Sequence, residues 1–226
     1  MVHMKAKNLA LAVAMIVGGS VFFTSCMERD RYNTYPNNNY PNNNNNTSST
    51  TFDEEFNGSD LYGWTFSDAA DSAYASIANG TYQYVDYSKV KSNMSVVSTN
   101  INTAGNFTIQ TKIKADNMMG LIFGASSTDN GYAFYVDSAG YYSLYREGAG
   151  TTASTPIIPS TQDTTYALKK DWNTLEVDQT NGTWTGYING TLVFTMAART
   201  IYGSSFGFKV LPTTIGYADY LTVKND

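Results

Sequence analysis

The sequence holds one cysteine and one histidine in 226 residues, with five prolines and only 15% charged side chains. Charged residues normally make up about a quarter of a globular chain. This chain is rich instead in uncharged polar groups. The charge balance is acidic, with a formal net charge of −5 and a pI near 4.8. Phosphate binding needs a basic footprint, so this balance argues against nucleic acid as a partner. The histidine is His3 and the cysteine Cys26, so residues 27–226 contain neither. That excludes Ser-His-Asp and Cys-His nucleophile systems, zinc sites built on His or Cys, and CxxC redox chemistry. Carboxylates, lysine, tyrosine, Ser/Thr and oxygen-ligated metals remain. What the chain does have is aromatic residues, 18 Tyr, 11 Phe and 3 Trp, together with 18 Gly. Aromatic, Thr- and Gly-rich composition with few helix formers favours β-structure.

The first residues read as an export signal. Lys5 and Lys7 form a positive start, residues 9–23 are an apolar run, and Thr24-Ser25-Cys26 follows. The run is short for a membrane span, which needs about 20 residues. Small residues directly before a lone cysteine resemble the lipobox of bacterial lipoproteins. The resemblance implies cleavage before Cys26, acylation of that cysteine, and anchoring at the bacterial outer membrane or cell surface. It makes residues 1–25 a signal peptide. Residues 26–51 are then the lipidated Cys26 and an Asn-rich tether of low complexity, including the run Asn42 to Asn46, with no apolar periodicity to build a core. A flexible tether of this length holds a domain roughly 25–30 Å from its anchor.

Residues 52–226 form one domain with many short strands. Residues 107–114 alternate strictly, with Phe107, Ile109, Thr111 and Ile113 on one face and Thr108, Gln110, Lys112 and Lys114 on the other. Leu121-Ile122-Phe123-Gly124 is continuously apolar and reads as a central strand. A hairpin is expected over 132–146, turning at Asp137-Ser138-Ala139-Gly140, and a meander over 172–196 with Asn-Gly turns at 181–182 and 189–190. No helix of ten or more residues is expected. Regular strand spacing over such a length predicts an all-β, two-sheet antiparallel β-sandwich, with a barrel as the alternative.

Residues 52–61, FDEEFNGSDL, with Trp64 just after, resemble the opening of the concanavalin A-like jelly rolls. Trp172-Asn173-Thr174-Leu175-Glu176-Val177 and the later Gly186-Tyr187-Ile188-Asn189-Gly190 resemble their paired-strand hairpin, and Ala218-Asp219-Tyr220-Leu221-Thr222-Val223 their closing strand. Laminin-G-like domains and the 3-keto-disaccharide hydrolase-like domain share these features. The resemblance implies a jelly-roll fold over 52–224. Laminarinase-type members carry a Glu-x-Asp-x-x-Glu strand. The nearest match here is Glu176-Val177-Asp178-Gln179-Thr180-Asn181, where Asn181 stands in the place of the acid/base Glu and cannot supply its proton. Retaining hydrolysis needs two carboxylates about 5–5.5 Å apart, so laminarinase-type catalysis is not expected. In many such jelly rolls the closing-strand Asp also binds a structural Ca²⁺. Carried over by position, that implies calcium at Asp219, with Glu54 or Glu55 and the Asn57-Gly58 neighbourhood.

Sugar rings stack on exposed aromatic faces while their hydroxyls take planar polar partners. Tyr132, Tyr135, Tyr141, Tyr142 and Tyr145 fall in one hairpin, with Arg146 and Glu147 at its end. The expected ligand face is Tyr132, Tyr135, Tyr142 and Arg146, joined by Trp184 as the exposed tryptophan, while Trp64 and Trp172 are expected in the core. Arg146 has Asp137 or Glu147 as alternative partners. Three functions remain open: a surface lipoprotein that binds a glycan or polysaccharide without cleaving it, a glycosidase of the 3-keto-disaccharide type, and an adhesion module for another protein.

Overall fold

The computed structural model describes residues 51–70, 72–89, 94–126, 130–148, 153–165 and 167–225. The expected signal peptide, Cys26 and nearly all of the tether lie outside them. Fifteen strands run through the described residues: β1 (Thr51–Glu54), β2 (Phe66–Asp68), β3 (Ala73–Ala78), β4 (Thr81–Asp86), β5 (Met94–Ser98), β6 (Phe107–Ala115), β7 (Met118–Ala125), β8 (Gly131–Asp137), β9 (Tyr141–Glu147), β10 (Thr155–Gln162), β11 (Asn173–Thr180), β12 (Thr183–Ile188), β13 (Thr191–Ala197), β14 (Ser205–Val210) and β15 (Thr214–Asn225). No helix occurs among the described residues. The strands form two antiparallel sheets. The first follows the order β13-β12-β11-β6-β15-β4-β3-β2, with β1 also pairing β15; the second follows β10-β9-β8-β7-β14-β5.

The expected turns form as their residues dictate. Asn181 and Gly182 have φ of 50° and 74°, and Asn189 and Gly190 have 50° and 78°. Two successive positive φ angles give the hairpin turn whose twist matches that of its strands. At the β8–β9 turn, Asp137 Oδ1 accepts the backbone N–H groups of Ala139 and Tyr141 at 2.9 and 2.8 Å.

The two sheets bury their facing sides together. In the first sheet alternation is kept: β6 reads buried at Phe107, Ile109, Thr111 and Ile113 and part-exposed between, and β11 follows the same rhythm. In the second sheet β7 and β8 are buried almost throughout. Their inner residues, Met119, Leu121, Phe123, Tyr132, Phe134 and Val136, join the main core. Their outer residues Ile122, Ala133 and Tyr135 make a second cluster with Val96 and Ala125.

The FDEEFNG opening serves this core. Phe56 has φ of 52°, a strained conformation for a bulky residue, yet it is buried against Trp64, Tyr82 and Phe208. Glu54 holds it there, accepting the Phe56 N–H at 2.8 Å and the Trp64 indole N–H at 3.1 Å. Burial raises the Glu54 carboxyl above its ordinary range despite those two donors. Asp60 closes the loop by accepting the amides of Trp64 and Thr65 and the Thr65 hydroxyl. Its burial works upward, but these donors outweigh it and hold the carboxyl below the usual value.

Candidate functional site

The hairpin of β8 and β9 forms as expected, but its tyrosines do not make an exposed platform. Tyr135 is 3% exposed on the outer side of the second sheet, its ring packed directly over Gly120. Its hydroxyl donates to Glu147 Oε1 at 2.9 Å. Burial first, and the Glu147 carboxylate second, push this phenol well above its ordinary pKa. Glu147, itself buried, also takes Lys209 Nζ at 2.5 Å and the Ser154 hydroxyl at 2.7 Å on its other oxygen. This side of the sheet is thus closed around a saturated carboxylate. Tyr142 points the opposite way. Half-buried, it packs against Phe134 and donates to the Val193 carbonyl at 3.1 Å, tying β9 to β13 across the two sheets.

Trp184 is a correction to the expectation of an exposed ring. It is fully buried, because its position on β12 faces inward, where it meets Tyr132 at 4.6 Å and Phe123 at 5.2 Å between ring centroids. Tyr132 is likewise buried, at 1% exposure. Trp172, expected in the core, is half-buried on the outer side of the first sheet, with Lys112 Nζ 5.2 Å and Lys114 Nζ 4.8 Å from its ring centre.

Tyr132, Trp184 and Arg146 do come together, at one end of the sandwich, with the two rings beneath the surface and the guanidinium on it. Arg146 is the cross-strand partner of Tyr132 and is exposed. The Tyr132 hydroxyl donates to the Thr200 carbonyl at 2.8 Å, and its ring stacks on Tyr202 at 5.8 Å and 26°. Tyr202 is 38% exposed. An aromatic file thus runs from Trp184 in the core, through Tyr132, to Tyr202 at the surface. Burial, then the neighbouring Tyr202, raise the Tyr132 phenol, while Arg199 and Arg146 pull it down.

Beside this file lies a cleft of about 470 Å³, whose walls include Asn106, Gln179, Asn181, Arg199 and Ile201. Gln179 sets its floor. The Gln179 amide donates to the Thr103 and Gly105 carbonyls at 3.1 and 2.7 Å, and its oxygen accepts the Trp184 indole N–H at 2.8 Å. Asn106 Oδ1 accepts the Asn181 backbone N–H at 3.0 Å, which joins the two loops that form the wall. The cleft therefore offers planar amides and an arginine, and Tyr202 follows its lining residue Ile201 in the chain. Sequence reasoning missed Arg199, Tyr202 and Asn106. One signal was available for Arg199, because it and Arg146 are the only arginines after Arg31.

The strand with the Glu-x-Asp spacing is β11, inside the first sheet. Glu176 and Asp178 lie on its outer side, where Gln110 Nε2 donates to Glu176 at 2.5 Å and the Thr108 hydroxyl to Asp178 at 2.7 Å. Asn181 is the first residue of the following turn. Asp219 sits at a register shift of β15 against β6, and its carboxylate takes Lys112 Nζ at 2.7 Å. That hydrogen bond, with the Asp219 charge, raises the Lys112 pKa. Glu55 is exposed. Calcium needs six to eight oxygen ligands. With an ammonium already on Asp219, and no group of three acidic side chains gathered among the described residues, these residues do not fit such a site.

The family model for the 3-keto-alpha-glucoside-1,2-lyase-like domain matches residues 51–206. The chain belongs to that family. The match runs from β1 into β14 and stops short of β15, although β15 lies between β6 and β4 in the first sheet. No curated protein sequence matches the chain. Among solved structures, the CBM2 module of the evolved Dit protein from Lactobacillus casei BL23 phage J-1 is similar at 11% identity, covering 78% of this chain and 95% of that one, with a TM-score of 0.51. The carbohydrate binding module CBM66 from Bacillus subtilis matches at 16% identity over 79% and 92%, with a TM-score of 0.40. The endo-beta-1,3-glucanase from Pyrococcus furiosus matches at 11% over 77% and 93%, with a TM-score of 0.44. At these identities the likeness is one of fold. The 3-keto-alpha-glucoside-1,2-lyase-like domain of this chain is a two-sheet antiparallel jelly roll.

Proposed function

We propose that this chain is a surface lipoprotein, anchored to the membrane through Cys26, whose jelly roll binds carbohydrate without cleaving it. The observation that carries the binding is the cleft at the end of the sandwich. The side-chain amides of Asn106 and Asn181 line it with Arg199, and Tyr202, next in the chain to the lining Ile201, has a part-exposed ring. Planar hydrogen-bonding groups suit sugar hydroxyls, and a ring suits the apolar face of a pyranose. The absence of cleavage is supported by the state of Glu147, which already accepts from Tyr135, Lys209 and Ser154. A carboxylate so engaged is poorly placed to move a proton.

Affinity electrophoresis of the full chain in polysaccharide gels tests the binding. Retention should be lost in Arg199→Ala and in Tyr202→Ala. Retention unchanged in both would contradict the site. Anchoring is tested by metabolic labelling with palmitate, which Cys26→Ser should abolish. A second reading follows from the family itself: turnover of a 3-keto-α-glucoside. Product formation that survives in Glu147→Gln but requires another carboxylate would replace binding with catalysis.

A further inference from the structure

The only arginines after the tether, Arg146 and Arg199, are brought to one place by segments far apart in sequence. Arg146 is opposite Tyr132 in the β8–β9 ladder. Arg199 directly precedes Thr200, whose carbonyl accepts the Tyr132 hydroxyl at 2.8 Å. The two guanidinium groups thus lie near Tyr132, whose ring stacks on Tyr202, and both act on that phenol.

Three lysines of the sandwich are paired with acids. Lys112 pairs with Asp219 at 2.7 Å, Lys114 with Asp171 at 3.7 Å, and Lys209 with Glu147 at 2.5 Å. Neither arginine has a carboxylate partner among the described residues. The two acids that the sequence offers to Arg146 are engaged elsewhere: Asp137 caps the β8–β9 turn and Glu147 is held by Lys209. Among the described residues Arg146 has a long contact, 3.5 Å, to the Thr155 hydroxyl. In a chain of net charge −5, two exposed guanidinium groups near one phenol, with no carboxylate partner among the described residues, form a local positive site. Arginine, rather than lysine, suits planar two-pronged recognition of an oxyanion.

We infer that the cleft and the surface beside it take an anionic glycan, with a carboxylate or sulfate group of the sugar between Arg146 and Arg199 and the ring against Tyr202. This rests on the carbohydrate-binding reading above and names its ligand class. The neutral part of the sugar would lie along Asn106 and Asn181, and the charge at the arginine side.

The test compares retention of the full chain in gels of matched polymers: polygalacturonate against fully methyl-esterified pectin, and dextran sulfate against dextran. At least one anionic polymer should be bound about tenfold more tightly than its neutral counterpart, as expected for charge-assisted hydrogen bonds. That preference should shrink with added salt. The carboxylate and sulfate arms say which oxyanion is recognised. Arg146→Gln and Arg199→Gln should each remove the preference, while Lys112→Gln, on another face, should keep it. Both arginine side chains are exposed, so a thermal melt should show the variants folded. Equal binding of the charged and neutral polymers, or a preference that survives both arginine substitutions, would overturn the inference while leaving carbohydrate binding intact. Retention by none of the four polymers would overturn both.

Discussion

The outer faces of the two sheets differ, and the difference separates polar pairs that water can replace from pairs that it cannot. On the first sheet the outer face is polar and open. Gln110 bridges Tyr220 and Glu176, Thr108 meets Asp178, and Lys112 and Lys114 lie over Trp172. On the second sheet the outer face is apolar and closed. Ile122, Ala133 and Tyr135 are buried, and the ionic group Glu147–Lys209 is sealed among them. A polar pair in the open costs little to lose, because water replaces the partner. A sealed pair cannot be broken cheaply, because the remaining charge has no solvent.

That contrast can be broken experimentally. Glu147→Ala leaves Lys209 without a partner at a site where its side chain is 12% exposed. It should cost about 3–5 kcal/mol by urea unfolding. Replacing both members with apolar residues, Glu147→Leu with Lys209→Met, should recover most of the loss; no recovery would mean that the pair does more than satisfy itself.

Gly207→Ala probes how tightly the same sheet is assembled. A Cβ there would stand 2.1 Å from the Ser95 carbonyl oxygen and 2.8 Å from Val96 Cα. Backbone cannot step aside as a flexible side chain can. The expected cost is about 1–3 kcal/mol or more, and a variant as stable as the parent would show that β5 and β14 are looser than described.

The opening loop should show a smaller effect with a pH signature. Asp60 has a folded pKa held below 3.8. Its contribution is therefore present above that pH and is lost as the pH falls through the folded value. Asp60→Asn should lower stability at neutral pH by about 1–2 kcal/mol and flatten the acid limb of a melting-temperature profile. Glu54 runs the other way. Its folded pKa is raised from 4.5, so its contribution is present below 4.5 and lost as the pH rises through the folded value. Glu54→Gln should remove that alkaline-side loss. The same slope in both variants would contradict the opposite shifts. Smallest of all, Asp219→Asn on the open face breaks a pair whose members are 38% and 39% exposed. It should cost about 0.2–1 kcal/mol, and a larger loss would erase the distinction between the faces.

Alternation made the first sheet legible. Residues 107–114 name their own faces, and the two Asn-Gly pairs place the turns of the β11–β13 meander. The apolar run at 121–124 likewise announces a strand buried on both sides. What alternation does not give is the occupant of each face. Tyr135 and Tyr142 look alike in sequence. One is sealed by a carboxylate twelve residues along the chain, and the other reaches a carbonyl 51 residues away. Trp184 was misjudged for the same reason: its indole needs a buried acceptor, and Gln179, five residues earlier, supplies it across the β11–β12 turn. The cleft was less legible still, since it is made where the 103–106, 179–182 and 198–201 segments meet. Only the pairing of the two arginines was there to be read.

The central claim is that ligand contact belongs to the end of the sandwich and not to either sheet face. Polysaccharide retention of two double variants tests it directly. Arg199→Ala with Tyr202→Ala alters the cleft and the ring beside it, and Lys112→Ala with Trp172→Ala removes a ring and a charge from the open face of the first sheet. The account predicts that the first pair abolishes retention and the second leaves it within about twofold, because surface substitutions away from a binding site shift energies by only a few tenths of a kcal/mol. Retention that survives the first pair and disappears with the second would contradict it.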